Sequence, residues 1–121
     1  AYLVSDSAST AGLEPGVYGE SEIEEGGFTH MKGNMEQLAG AWHQLDRGVE
    51  RLCELGWPLA AAWRQASAVP ASIAGLQLPP IAEGALAEFA LARYSGDGLE
   101  LEQVVAAGEP VLDAPIHPRM L

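Results

Sequence analysis

The chain opens with a short apolar stretch, Tyr-Leu-Val at residues 2–4, that leads through a serine to the carboxylate of Asp6. A run of small polar residues then continues to Gly12. The apolar stretch, the acidic residue and this run together predict a buried β-strand that ends at Asp6. Parallel α/β enzymes hold catalytic groups at this end of a strand. Such a strand needs parallel neighbours, and the sequence shows none. We therefore expect the stretch to be the last strand of a set whose other members lie elsewhere.

Composition limits the class of protein and its partners. The 121 residues suit one small domain, and 17 acidic against 6 basic residues give a formal net charge of -11. That charge disfavours nucleic acid and anionic membranes as partners. The single cysteine, Cys53, cannot form an internal disulfide, so we expect a cytoplasmic protein in which it is a buried structural thiol. No membrane span and no secretory leader are indicated.

The middle of the chain carries one extended segment and three helical patterns. Pro15-Gly16 predicts a turn before a short extended piece at residues 17–18, and residues 20–33 read as a surface loop or a weak hairpin. Apolar spacing predicts a helix over residues 45–53, and Gly56 is expected to end it. A second helix follows Trp57-Pro58, and a short third one at residues 70–74 is expected to end at Gly75.

The final third changes to a strand-like pattern. Residues 89–94, 99–106 and 110–112 are separated by glycine-containing turns, which predicts an antiparallel meander of three short strands. The residues after this meander contain Pro115 and Pro118 and are expected to form a trailing arm.

Several short motifs occur in one order along residues 2–112. They are Val4-Ser5-Asp6-Ser7, Leu38-Ala39-Gly40-Ala41, Val69-Pro70-Ala71-Ser72, Gly75-Leu76 and Gly84-Ala85-Leu86-Ala87-Glu88. This series resembles the C-terminal third of the amidohydrolase superfamily and, within it, is similar to the N-acetylglucosamine-6-phosphate deacetylases. The family has serine, arginine and aspartate where this chain has Ala41, Ser72 and Glu88.

The resemblance implies a fold and a division of the chain. The fold class would be α/β, or α+β as an isolated piece. Residues 1–78 would provide the last strand, a loop and the helices of a TIM-like metal-dependent hydrolase barrel. Residues 79–113 would provide strands of the small β-sandwich domain, and residues 114–121 the C-terminal arm.

The resemblance also implies an activity and its site. The intact parent would be a metal-dependent deacetylase that hydrolyses the N-acetyl amide of an amino-sugar phosphate. Asp6 would act as the catalytic general acid/base on the metal-bound water, and Leu38, Ala39 and Gly40 would line the substrate. Read without the family, Asp6 is a carboxylate that caps backbone amides, and residues 38–40 are a tight turn.

The chain offers no metal ligands of its own in this interpretation. The divalent metal, zinc or iron, would be held by earlier parts of the parent, so this piece alone is expected to be inactive. His30, His43 and His117 are widely separated and lack the spacing of a metal pair, so each is expected to be a solvated or capping histidine.

Two other interpretations stay open. The chain could be a truncated or degenerate, non-catalytic acidic interaction module, or it could belong to another amidohydrolase of the aminoacylase or dihydroorotase-like kind. The expected partners are the amino-sugar phosphate substrate and either the remainder of the parent chain or a second copy in a homo-oligomer, because the predicted strands would leave unpaired edges.

Overall fold

The computed structural model describes residues 1–95 and 98–112, which form a mixed α+β structure with two antiparallel sheets. The predicted α+β class for the isolated chain is therefore confirmed. Two compact units are present: residues 4–45, and residues 1–3 together with the described residues from 46 onwards. The predicted boundaries at residues 78 and 113 stay a prediction. The predicted C-terminal arm, including His117, lies outside the described residues.

A four-stranded antiparallel sheet fills most of the unit at residues 4–45. Its strands are β1 (Gly16–Tyr18), β2 (Ser21–Ile23), β3 (Thr29–Met31) and β4 (Asn34–Leu38), paired in that order. The extended piece at residues 17–18 is confirmed as β1. Of the two interpretations of residues 20–33, the hairpin is the one found, and β4 was not predicted. Gly19 and Gly33 have φ of 64° and 76° in the turns on either side of this hairpin, a conformation that glycine adopts readily.

Three helices follow, close to where the sequence predicts them. They are α1 (Leu45–Glu54), α2 (Leu59–Ala66) and α3 (Ala68–Ile73). Gly56 and Gly75 follow the first and third helices with φ of 92° and 71°, so both glycines end their helices as predicted. No helix in the described ranges has both the length and the apolar character needed to cross a membrane.

The predicted meander is confirmed as the second sheet. Its antiparallel strands are β5 (Phe89–Ser95), β6 (Gly98–Ala106) and β7 (Glu109–Leu112), in the order β5-β6-β7. Val49 of α1, Ala62 of α2 and Leu99 of β6 form a buried apolar cluster. Cys53 packs against this cluster and is partly buried, whereas the sequence predicts a buried thiol; its structural role stays a prediction.

A buried carboxylate connects α1 to this sheet. Glu50 accepts a hydrogen bond from the Leu99 backbone N–H at 3.0 Å through Oε1, and its other oxygen pairs with Arg47. Both Glu50 and Leu99 are buried, so this bond satisfies a backbone donor that water does not reach.

The predicted opening strand is wrong. Residues 1–6 have no strand structure, and the Leu3 N–H donates to the Gln65 carbonyl of α2 at 2.7 Å instead of to a neighbouring strand. A parallel ladder needs partners along its length, and within the described residues this segment forms only an isolated parallel bridge between Ser7 and Ala41. The apolar side chain of Leu3 is partly buried against the helices by this route.

Candidate active site

The segment after the opening stretch lies against the segment after β4. The Ala41 N–H donates to the Asp6 carbonyl at 2.8 Å, and the Ala8 N–H donates to the Ala41 carbonyl at 3.4 Å. These bonds form the parallel bridge between Ser7 and Ala41. They bring Asp6 beside Gly40, so two sequence-predicted site segments that are more than thirty residues apart are neighbours.

Gly40 is required for this close approach. A Cβ atom at position 40 would lie 2.9 Å from the Asp6 carbonyl oxygen and 3.0 Å from the Ala8 Cβ, inside normal contact distance. The backbone of Gly40 also has φ of 98°, which side-chain-bearing residues rarely adopt. Only glycine therefore lets the two segments meet without displacement.

Asp6 itself holds an unusual backbone conformation. Its φ is 43°, in the left-handed region that costs a non-glycine residue about 1–3 kcal/mol. Strained residues cluster at active sites and ligand-binding sites, and aspartate also adopts this conformation in ordinary turns. The Asp6 residue is exposed, and its carboxylate has no hydrogen-bond or ion-pair partner among the residues that the structure describes. The capping role considered for Asp6 is therefore not seen within those residues.

The three residues predicted to line a substrate differ in what they can offer. Leu38 is the last residue of β4 and is 68 % exposed. The Ala39 N–H is already used, because it donates to the Thr29 carbonyl at 3.1 Å. The Gly40 N–H has no acceptor within the described ranges, so it is the backbone donor of this loop that remains available to a ligand.

Trp42 anchors the loop on its other side, a role that sequence reasoning missed. The Trp42 indole N–H donates to the Leu13 carbonyl at 2.8 Å. The ring packs over Gly27 so closely that a Cβ there would lie 2.5 Å from a ring carbon. His43 meets the Trp42 ring edge-on with the ring centroids 4.8 Å apart. A glycine whose backbone lies under a tryptophan ring cannot be recognised from spacing alone.

The environment of His30 differs from the solvated one considered for it. It is not solvated, because only 1 % of the residue is exposed. Its Nδ1 lies 2.9 Å from the Met31 carbonyl and its Nε2 lies 3.1 Å from Glu24 Oε1. Both contacts, the Met31 carbonyl first and Glu24 second, raise the pKa of His30 above its usual 6.5, although burial opposes this change.

The described residues do not fit the divalent metal that the resemblance implies. Among them, no group of three or more histidine, cysteine, aspartate or glutamate side chains is arranged to hold a metal ion. His30 uses both of its ring nitrogens in other contacts. A catalytic zinc site keeps about three protein ligands, so these residues do not form one.

An open groove of about 360 Å³ lies between α3 and residues 76–78. Its lining mixes apolar residues with polar ones such as Ser72 and Gln77, and it includes none of the predicted site residues. The groove therefore adds nothing to the chemistry proposed for Asp6.

Comparison of the chain with protein-family models, with curated proteins and with solved structures found no match. The motifs that resemble the amidohydrolases and the geometry around Asp6 are therefore the two observations that bear on function.

Proposed function

We propose that this chain is the C-terminal portion of a metal-dependent amidohydrolase, an N-acetylglucosamine-6-phosphate deacetylase-like enzyme, and that Asp6 is its general acid/base. The observation that carries the proposal is the direct contact between the Asp6 and Gly40–Ala41 backbones. The resemblance assigned Asp6 to proton transfer and residues 38–40 to the substrate. Their adjacency is what a shared site requires.

The state of the Asp6 carboxylate also supports this role. A general base must reach the proton that it abstracts and must have an acceptor atom free to receive it. Asp6 is exposed, has no partner within the described residues, and is presented by a strained backbone at φ 43°. A carboxylate that served only to cap backbone amides would have those amides as partners.

The proposed chemistry is hydrolysis of an N-acetyl amide. Water adds to the carbonyl carbon of the acetyl group, and the Asp6 carboxylate accepts the proton that this water loses. The C–N bond then breaks, and Asp6 returns the proton to the departing amine nitrogen, which leaves acetate and the amino-sugar phosphate. The free Gly40 N–H is positioned in the same loop to donate a hydrogen bond to a substrate oxygen.

The metal requires groups that the described residues lack. When bound, a divalent cation would polarise the reacting groups, and we propose that its ligands belong to other parts of the parent enzyme. No step of the proton transfer above is assigned to it.

A non-catalytic interaction module is the second candidate, and one observation favours it. All five residues of β4, the edge strand of its sheet, are exposed, including Met35 at 62 % and Leu38 at 68 %. Exposed edges with apolar side chains pair readily with other chains. This alternative needs no free carboxylate at Asp6.

The coding sequence upstream of residue 1 and an assay of its product separate the two candidates. A His-x-His strand motif, followed by a further glutamate and histidines, together with acetate release from N-acetylglucosamine 6-phosphate, would support the enzyme. A reading frame that starts near residue 1, with no acetate release by its product, would support the interaction module.

A further inference from the structure

The contact between His30 and Glu24 has no role in the proposed function. His30 lies in β3 with Nδ1 facing the Met31 carbonyl and Nε2 facing Glu24 Oε1. A carbonyl and a carboxylate are both acceptors, whereas a neutral imidazole carries one N–H. Both contacts can be hydrogen bonds only when the pair holds a second proton. A pair that makes both hydrogen bonds is therefore an imidazolium facing a carboxylate, or the equivalent with the proton on Glu24.

The surroundings of His30 favour the charged form. Glu22 lies directly opposite it on β2, and Leu38, an uncharged residue, lies opposite it on β4. Glu24 belongs to the turn between β2 and β3, and the Phe28 ring of that turn lies 5.7 Å from the imidazole. Among the residues that the structure describes, the charged groups that act on His30 are thus Glu22 and Glu24, and both stabilise a positive charge.

The same glutamate holds the turn together. The Glu24 N–H donates to the Phe28 carbonyl at 2.9 Å, and the Gly27 N–H donates to the Glu24 carbonyl at 3.1 Å. Gly27 in turn lies beneath the Trp42 ring. The His30–Glu24 contact, the two backbone bonds of this turn and the contact between Gly27 and Trp42 thus lie next to one another in the structure.

We propose that protonation of the His30–Glu24 pair controls closure of the β2–β3 turn. The turn is closed while the pair holds its second proton and loosens when that proton leaves. Loosening moves Gly27 and Trp42 together. The closure is a property of this unit and does not depend on a catalytic role for Asp6. The further link, from Trp42 through Ala41 to Asp6, rests on the proposed function.

The direction of the pH effect follows from the pKa of His30. This pKa is raised by the Met31 carbonyl first and by Glu24 next, so the folded form binds the proton more tightly than the unfolded chain does. The stabilisation is fully present below about pH 6.5, the value for unfolded histidine, and is lost as pH rises through the higher folded value. The turn is thus closed in mildly acidic solution and loosens towards alkaline pH.

Nuclear magnetic resonance of the 121-residue chain between about pH 5 and 9 tests the closure. We expect the His30 ring signals to titrate with a midpoint above 6.5. The Trp42 indole N–H signal should shift with the same midpoint, and the amide of Gly27 should lose protection over that range. Glu24→Gln should lower the midpoint of His30 and remove the pH dependence at Gly27. Glu25→Gln is the matched control, because it removes the same charge one residue away at an exposed position with no contact to His30.

Three results would overturn the proposal. They are a wild-type midpoint at or below 6.5, equal shifts in the Glu24→Gln and Glu25→Gln variants, and a Gly27 amide whose protection does not follow the His30 titration. Should Glu24→Gln fail to fold, Glu22→Gln removes the second charge that faces His30 and leaves the hydrogen bond in place. That variant should also lower the midpoint relative to Glu25→Gln, and an unchanged midpoint would count against the proposal.

Discussion

The Ala41 N–H donates a hydrogen bond to the Asp6 carbonyl at 2.8 Å, although the four strands β1 to β4 separate the two residues in sequence. This bond and the absence of a side chain at Gly40 bring the candidate carboxylate beside the candidate substrate loop. Because Gly40 makes this contact possible, its substitution should destabilise the unit at residues 4–45 more than substitution of another glycine in the same unit.

Gly40→Ala should destabilise this unit markedly. The new Cβ would lie 2.9 Å from the Asp6 oxygen and 3.0 Å from the Ala8 Cβ, in addition to the cost of φ at 98°. We expect a loss of about 2–4 kcal/mol of unfolding free energy, combining backbone strain with steric overlap, in denaturant titrations. Gly33→Ala is the control, because Gly33 has φ of 76° but nothing within 4 Å of the added atom. Equal losses for the two variants would show that the Asp6 contact contributes nothing.

Gly27→Ala should displace the Trp42 ring. The added atom would lie 2.5 Å and 2.8 Å from two carbons of the Trp42 ring, so the ring has to move to relieve the overlap. Overpacking of this kind costs about 1–3 kcal/mol. Gly26→Ala is closely matched, since Gly26 has φ of 86° against 82° for Gly27 and has open space around it. The Trp42 indole N–H signal should shift in the Gly27 variant and stay in place in the Gly26 variant. A shift in both, or in neither, would contradict the packing described for Trp42.

Glu50→Ala should weaken the connection between α1 and β6. The substitution leaves the buried Leu99 N–H without its acceptor, and an unpaired buried donor costs about 1–3 kcal/mol. Denaturant titration measures this loss. Glu54→Ala, one turn further along α1, removes an exposed carboxylate and should cost clearly less. A smaller effect at Glu50 than at Glu54 would contradict the proposed importance of the Leu99 contact.

Acid titration should reveal the contribution of Glu54. The hydrogen bond from Arg51 lowers the pKa of Glu54 below its usual 4.5, so its stabilisation is present above that pH. It should be lost as pH falls through the lowered value. Wild-type protein and Glu54→Ala should therefore converge in stability at low pH, and a difference that persists in strong acid would argue against this ion pair.

Local patterns in the sequence predicted the three helices and the second sheet. The helices α1 to α3 and the strands β5 to β7 follow from apolar spacing punctuated by glycine and proline, signals that act within a few residues. The sheet β1 to β4 was predicted only in part, because residues 20–38 are acidic and glycine-rich with weak alternation. The turn glycines Gly19 and Gly33 were the signal that could have indicated its hairpins.

The opening stretch shows why local pattern was insufficient elsewhere. Residues 2–4 have the composition of a buried strand, but the chain uses Leu3 to pack on helices and its N–H to bind Gln65. A strand depends on partners at a distance, which its own residues do not specify. The family resemblance assigned Asp6 and Gly40 to the same site, but no contact between the two was predicted. Neither the positive φ of Asp6 nor the crowding at Gly40 can be read from spacing.

The kinetics of Asp6→Asn in the longer enzyme proposed to contain this chain test the central claim most directly. Asparagine keeps the shape of the side chain but cannot accept and return the proton. With N-acetylglucosamine 6-phosphate as substrate, we expect kcat to fall about 10²–10⁴-fold while metal content and KM stay near those of the wild type. Asp46→Asn, a carboxylate change in the first turn of α1, should leave kcat unchanged. An Asp6→Asn enzyme with near-normal kcat and a lowered Tm would contradict the account and assign Asp6 a structural role.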